Sequence, residues 1–184
     1  MTSIRERIDR LKPRADSFSG TLYRSTAPKY ATVADLLTGE GSRRVGGRWN
    51  PVRIATFYGS MTPEAAVAET LAHIRYYGLP PQSAMPRTFV AIEVSLSQVL
   101  DLTDGKIRQT LGVSNARMTT ADWRADMRAG RTPVTHAISQ AAFDAGLEGL
   151  LVPSAATLGE TNLVYFIDNV LSTSQIEIMS VDEL

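Results

Sequence analysis

The chain has 184 residues, a length suited to one domain with a sizeable core. Lysine plus arginine equals aspartate plus glutamate at 19 each, so bulk charge points neither to nucleic acid nor to an anionic membrane. The absence of cysteine excludes disulfides, thiolate nucleophiles and cysteine-ligated metals, and two histidines argue against a histidine-rich metal site.

The N-terminus is charged through Arg5, Glu6, Arg7, Asp9 and Arg10 and lacks the apolar core of a signal peptide. No apolar run approaches the roughly 20 residues of a membrane helix, so a cytoplasmic protein with no membrane partner is expected. Ser3 and Glu6 have capping-box spacing, and Ile4, Ile8 and Leu11 recur at helical intervals until Pro13. A short surface-packed helix is predicted there. Thr21–Arg24 is predicted as a strand, Val33–Leu37 as a short helix ended by Gly39 and Gly41, and Gly41–Pro51 as a glycine-rich, basic and aromatic loop. Ile54–Tyr58 follows as a strand.

The next helix is punctuated by Thr62 as cap, Pro63 at its first position and Glu64 at the positive end of its dipole. Val67, Leu71 and Ile74 form its predicted apolar stripe, with Glu69 about 200° away among Ala65, Ala66, Ala68 and Ala72. Thr88–Leu96 alternates as a strand. Short helices are predicted at Lys106–Leu111 and Ala121–Arg128, with His136 in the polar turn before a core helix. That helix carries Val134, Ile138, Ala141 and Ala145 and closes at Gly146. Leu150–Val152, Leu163–Ile167 and Gln175–Met179 are the last strands. Interspersed helices and strands make a mixed α/β, or α+β, single compact domain over residues 1–184. Residues 1–19 form an N-terminal helical extension and 20–170 the core.

Several residues have the chemistry of a binding site. In the stretch 46–50, glycines permit close backbone approach, Arg48 offers a planar fork for phosphate and Trp49 a stacking face. The same residues equally describe a tight turn with a core tryptophan. Tyr23-Arg24 is a second arginine–aromatic pair, and Tyr58 stands before Gly59. Glu69 projects from a small-residue surface. Ser154 and Asn162 have the alternative role of turn residues. No dinucleotide-binding G-x-G-x-x-G or phosphate-binding G-x-x-x-x-G-K-[ST] is present. Glu93 and Asp101 show no paired spacing of the glycosidase kind.

In order, Leu22-Tyr23-Arg24, Gly41 to Pro51 with its GGRWNP block, Phe57-Tyr58, Ala66-Val67-Ala68-Glu69, Leu151-Val152-Pro153-Ser154 and Asn162 to Phe166 resemble the RES domain. The likeness spans about residues 20–170, and Val99–Thr103 is similar to the mycobacterial branch of that family. It implies a fold like the ADP-ribosyltransferase toxins and action on NAD⁺ as substrate, with no prosthetic group and no metal. It implies the toxin half of a toxin–antitoxin pair, bound by an Xre-like helix-turn-helix antitoxin through which any DNA contact is made. Arg24 and Arg48 would hold pyrophosphate and ribose, and Tyr58 would pack near the nicotinamide ribose. Glu69 would act at the reacting carbon. Tyr23, Gly47, Trp49, Asn50, Ser154 and Asn162 would complete the NAD-binding pocket. The chain departs from the family pattern at Val52-Arg53-Ile54, where many members have glycine, and at Ala155-Ala156-Thr157, where many carry a basic residue.

Overall fold

The computed structural model describes residues 2–183. Six strands form one sheet that closes on itself. β1 (Asp16–Thr26) runs antiparallel along β3 (Thr88–Asp101) and meets β2 (Thr56–Ser60) at Tyr23–Ser60. β2 pairs with β5 (Thr161–Phe166), and β5 with β4 (Gly149–Pro153), both antiparallel. β4 closes the ring by parallel pairing with Val99–Asp101 at the end of β3, while β6 (Gln175–Glu183) extends the sheet from the earlier part of β3. The mixed α/β single domain expected from the sequence is therefore built on a strand barrel.

Alternation along β5 shows how the barrel is filled. Leu163 and Tyr165 point into an inner cluster with Leu22, Phe57, Val90, Ile92 and Val94. Val164 and Phe166 face outward, into a second cluster with Leu100, Ile138, Leu147, Leu150 and Val152. A strand buried on both faces has no polar side to show, which is why this run is continuously apolar. Gly59 matters here because a Cβ would stand 2.8 Å from Leu22 Cβ, so only glycine lets β1 and β2 approach.

Helices cover the outer face. α1 (Ile4–Leu11) carries the expected Ser3–Glu6 capping box. It is no detachable surface extension: Ile8 and Leu11 are buried in the outer cluster, and residues 16–19 already belong to β1. α2 (Val33–Thr38) ends at Gly39 with φ 61°, and a second helix, α3 (Glu40–Val45), begins at once. The predicted loop 41–51 is thus shorter than expected, because the left-handed Gly39 redirects the chain instead of releasing it. Ser42 then fixes α3, its single hydroxyl proton shared between the carbonyls of Gly39 and Thr56, each 2.7 Å away.

α4 (Pro63–Tyr76) is capped by Thr62 as expected, but its buried face is not the predicted stripe. Ala65 and Ala66 are buried and Val67 is exposed. Small side chains let the helix lie close to β1 and β2, and Glu69 and Thr70 follow on that inward face. Short helices α5 (Gly105–Leu111), α6 (Asn115–Thr119) and α7 (Trp123–Arg128) lead to α8 (Val134–Asp144). α6 has no apolar periodicity to announce it in the sequence. His136 lies within the first turn of α8, not before it, and is buried.

Candidate active site

The loop after α3 is a tight turn. Gly47 and Asn50 bond each other's backbone, which makes Arg48 and Trp49 its central residues and turns them opposite ways. Trp49 is only 3% exposed and packs in the outer core. Its backbone N–H donates to the Tyr58 hydroxyl at 2.9 Å, and that hydroxyl donates to Asn50 Oδ1 at 2.6 Å. Asn50 Nδ2 bonds the carbonyls of Ser42, Pro51 and Ile54. The Gly47 carbonyl accepts from His136 Nε2 at 2.7 Å. A Cβ on Gly47 would sit 2.5 Å from the Tyr58 oxygen.

These contacts correct part of the sequence reading. Trp49 offers no stacking face, the Asn50 side chain is fully engaged and buried, and Gly47 makes room for a tyrosine rather than a phosphate. Burial pushes the Tyr58 phenol well above its ordinary range, and both its hydrogen-bonding roles are filled, so it is no acid or base. The four residues form a rigid mount for Arg48. Arg53, within the Val52-Arg53-Ile54 stretch where the chain departs from the family's glycine, has φ 86° and is the one non-glycine residue with positive φ among the described residues.

Glu69 is held from two strands. Its Oε1 accepts from Ser154 Oγ at 2.8 Å and from Asn162 Nδ2 at 2.7 Å. Oε2 has no hydrogen-bond partner among the described residues. Ser154 also accepts from the N–H groups of Ala156 and Thr157, so its hydroxyl is fully engaged. Ser154 is at once a turn residue and a positioner of Glu69, and makes no free ligand contact of its own. Ser154 also lines a cavity of about 340 Å³ with Thr103, Arg108, Thr119, Ala156 and Glu160, to which Glu69 does not contribute. A larger apolar groove of about 570 Å³ between α1, α7 and α8 contains neither Glu69 nor Arg48.

One arginine, Arg48, lies close enough for its charge to act on this carboxylate. Arg48 Nη1 donates to the carbonyls of Met118 and Ala121, at the end of α6 and just beyond it. Burial lowers the Arg48 pKa, the nearby Glu69 charge opposes that and Arg124 adds to it. Arg24 points into the barrel with Leu22, its guanidinium 5.0 Å from the Phe57 ring centre. Burial lowers its pKa too; Tyr165 and Tyr58 oppose the shift and Arg87 adds to it. The charges of Arg24, Arg48 and Glu69 all act on Tyr58. Tyr23, on the opposite face of β1, makes no side-chain hydrogen bond among the described residues.

The sequence reading missed Arg87, which bonds Ser25 and Thr70, and Arg124, which reaches His73. Neither belongs to a motif, and only the packing of α4 reveals them. The ion pairs among the described residues use Arg5, Arg14, Arg43, Arg44 and Arg131. Arg24, Arg48, Arg87 and Arg124 form none. Arg48 is the one whose charge acts on Glu69, with Arg124 in turn acting on Arg48 and Arg87 on Arg24, and cations left without ion pairs suit a polyanionic ligand.

The profile of one protein family, the RES domain, matches residues 21–180. The chain belongs to the RES family. Within it, the chain is 29% identical over 145 residues to the NAD(+) phosphorylase MbcT of Mycobacterium tuberculosis, covering 77% of this chain and 71% of the relative. It is 35% identical over 131 residues to the Prs ADP-ribosylating toxin of a Sphingobium species, covering 71% and 72%. The solved M. tuberculosis MbcT–MbcA toxin–antitoxin complex contains a chain of the same fold, with TM-score 0.78 and 24% identity over 98% of this chain and 91% of that one. No helix among the described residues is long and apolar enough to cross a membrane.

Proposed function

We propose that this RES protein is the toxin of a toxin–antitoxin pair and degrades NAD⁺ by cleaving the nicotinamide–ribose bond. The observation that carries the reading is Glu69, fixed through Oε1 with Oε2 open, beside Arg48, which has no ion-pair partner among the described residues.

The chemistry needs little more. When the bond between C1 of the ribose and the pyridinium nitrogen breaks, its electron pair leaves with nicotinamide, which becomes neutral and requires no proton. Positive charge builds on the ribosyl ring, as in other oxocarbenium-like reactions. A fixed carboxylate there stabilises the transition state more than the ground state, in which the charge sits on the pyridinium. Ser154 and Asn162 keep that carboxylate from reorganising. Arg48, with Arg24 deeper in the fold, suits the diphosphate through charge-assisted bonds. The acceptor oxygen then bonds C1 and releases its proton; water gives hydrolysis and inorganic phosphate gives phosphorolysis. Kinship with relatives named NAD(+) phosphorylases supports the phosphate route.

A cognate antitoxin of the Xre-like helix-turn-helix kind, acting in the cytoplasm and making any DNA contact itself, fits a fold shared with a toxin seen bound to its antitoxin. A second reading, ADP-ribosylation of one protein target, is favoured by the 35% identity to a relative named as such a toxin. The two separate in one assay. Incubation of purified protein with NAD⁺, with and without phosphate, is expected to release nicotinamide and consume the NAD⁺ pool. Little bulk loss, with an ADP-ribose mass shift on a protein from the host extract, would establish the transferase instead.

A further inference from the structure

The outer half of α4 carries side chains that bond cleavage does not use. From Glu69, the positions 73, 76 and 77 return to the same side of the helix, and about 1.5 Å of rise per residue puts Tyr76 and Tyr77 on the order of 10 Å along it. They are occupied by His73, Tyr76 and Tyr77, the last two exposed at 40% and 57%. Arg124 of α7 lies against them. Its guanidinium is 4.3 Å from the ring centres of both Tyr76 and Trp123, and 5.8 Å from that of Tyr77. One N–H edge bonds His73 Nδ1 at 3.2 Å.

A structural latch between α7 and α4 explains some of this, and Arg128 adds to it by bonding the Tyr76 hydroxyl. It does not explain the rest. Arg124 has no ion-pair partner among the described residues, and its charge opposes that of Arg48, on which the Glu69 and Asp122 carboxylates also act. His73 is likewise flanked by Arg124 and Arg87, both of which add to the fall in its pKa that burial begins. Holding like charges together costs free energy unless an anion joins them. An oriented guanidinium stacked beside an exposed aromatic ring also has the composition of a nucleotide site, where bases stack on aromatics and phosphates meet arginine.

We propose that His73, Tyr76, Tyr77 and Arg124 form a subsite for the adenosine-phosphate half of the substrate, with the purine on Tyr77 and a phosphate at the outer edge of Arg124. The inference rests on the NAD⁺ reading above and deepens it. With the reacting ribose at Glu69, the diphosphate spans Arg48 and Arg124, and the purine reaches the end of the helix. The dinucleotide then lies along one side of α4, and the subsite explains why α7 is held over that end.

ADP is the probe, because it carries the purine and both phosphates but nothing to occupy Glu69. Titration followed by calorimetry is expected to show ADP binding that Tyr77→Ala weakens roughly 5- to 150-fold. Arg124→Gln is expected to weaken it by a similar factor, and Tyr77→Trp to retain it. Because Tyr77 is exposed, an unchanged melting temperature separates lost stacking from lost fold. Equal ADP affinity in wild type and both weakening variants, or no ADP binding at all, overturns the subsite. The two claims fail separately. NAD⁺ cleavage whose KM ignores both substitutions removes the subsite and keeps the function, whereas ADP binding dependent on Tyr77 without any NAD⁺ cleavage keeps the subsite and removes the function.

Discussion

Replacing Tyr58 with phenylalanine distinguishes a tyrosine that builds the site from one that reacts in it. The substitution removes one oxygen and strands two groups, the Trp49 N–H at 2.9 Å and Asn50 Oδ1 at 2.6 Å. Asn50 is fully buried and Trp49 nearly so, so little water can replace the hydroxyl. Each stranded group costs about 1 kcal/mol or somewhat more, giving a loss of about 2–3 kcal/mol. For a domain of this size that lowers the melting temperature by roughly 4–10 °C. The network also sets a coupling. Alanine at position 47 places its Cβ 2.5 Å from the tyrosine oxygen and 3.0 Å from the ring carbon bearing it. Gly47→Ala is therefore expected to cost less in the Tyr58→Phe background than in wild type, a non-additivity that a double-mutant cycle measures. Thermal unfolding of the four proteins, with nicotinamide release measured well below each transition, gives both quantities. Most activity is expected to survive in Tyr58→Phe at low temperature. A variant that melts like wild type but releases no nicotinamide would refute the structural assignment and return Tyr58 to the chemistry.

Arg53→Gly is expected to stabilise the fold by about 0.5–1 kcal/mol, because glycine removes the strain of φ 86° but adds chain entropy to the unfolded state; chemical denaturation checks the sign. Burial holds the pKa of His136 below its ordinary 6.5, the bond to Gly47 opposing only in part, so the unfolded chain binds this proton first as pH falls. Stability from this residue is complete above pH 6.5 and declines below it, and His136→Gln is expected to flatten melting temperature against pH between about 7 and 5. Ser154→Ala removes one of two donors to Glu69 Oε1, and is expected to lower kcat about tenfold with little change in KM. Glu148 is buried and accepts from the N–H groups of Ser97, Gln98 and Leu171 and from Ser174 Oγ, so Glu148→Ala is expected to cost about 3 kcal/mol or more in thermal unfolding.

Local chemistry made the helix starts legible: the Ser3–Glu6 box and the Thr62-Pro63 cap follow from neighbouring residues alone. The apolar runs at β4 and β5 were legible for a similar reason. The inward face of α4 was not, because alanines carry little hydrophobic signal and pack by being small. α3 was hidden by its glycine and arginines, since the left-handed turn at Gly39 that starts it depends on Ser42 reaching Thr56 across fourteen residues. Motif order pointed to Arg48, Glu69, Ser154 and Asn162, which converge, but could not divide ligand contacts from their supports. Trp49, Asn50 and Tyr58 stand in the same block as Arg48, and only the third dimension turns them into its mount. Arg87 and Arg124 lie 18 and 55 residues beyond Glu69, so no local pattern connects them to it.

The most direct measurement compares wild-type protein, purified free of any antitoxin, with Glu69→Gln in an assay of NAD⁺ consumption and nicotinamide release. Glutamine keeps the shape and the acceptor for Ser154 and Asn162 but removes the charge. Nicotinamide release by wild type, reduced on the order of 10²–10³-fold in a variant with the same melting temperature, is the expected result. Equal release by both proteins, or none from wild type with or without phosphate, would contradict the account.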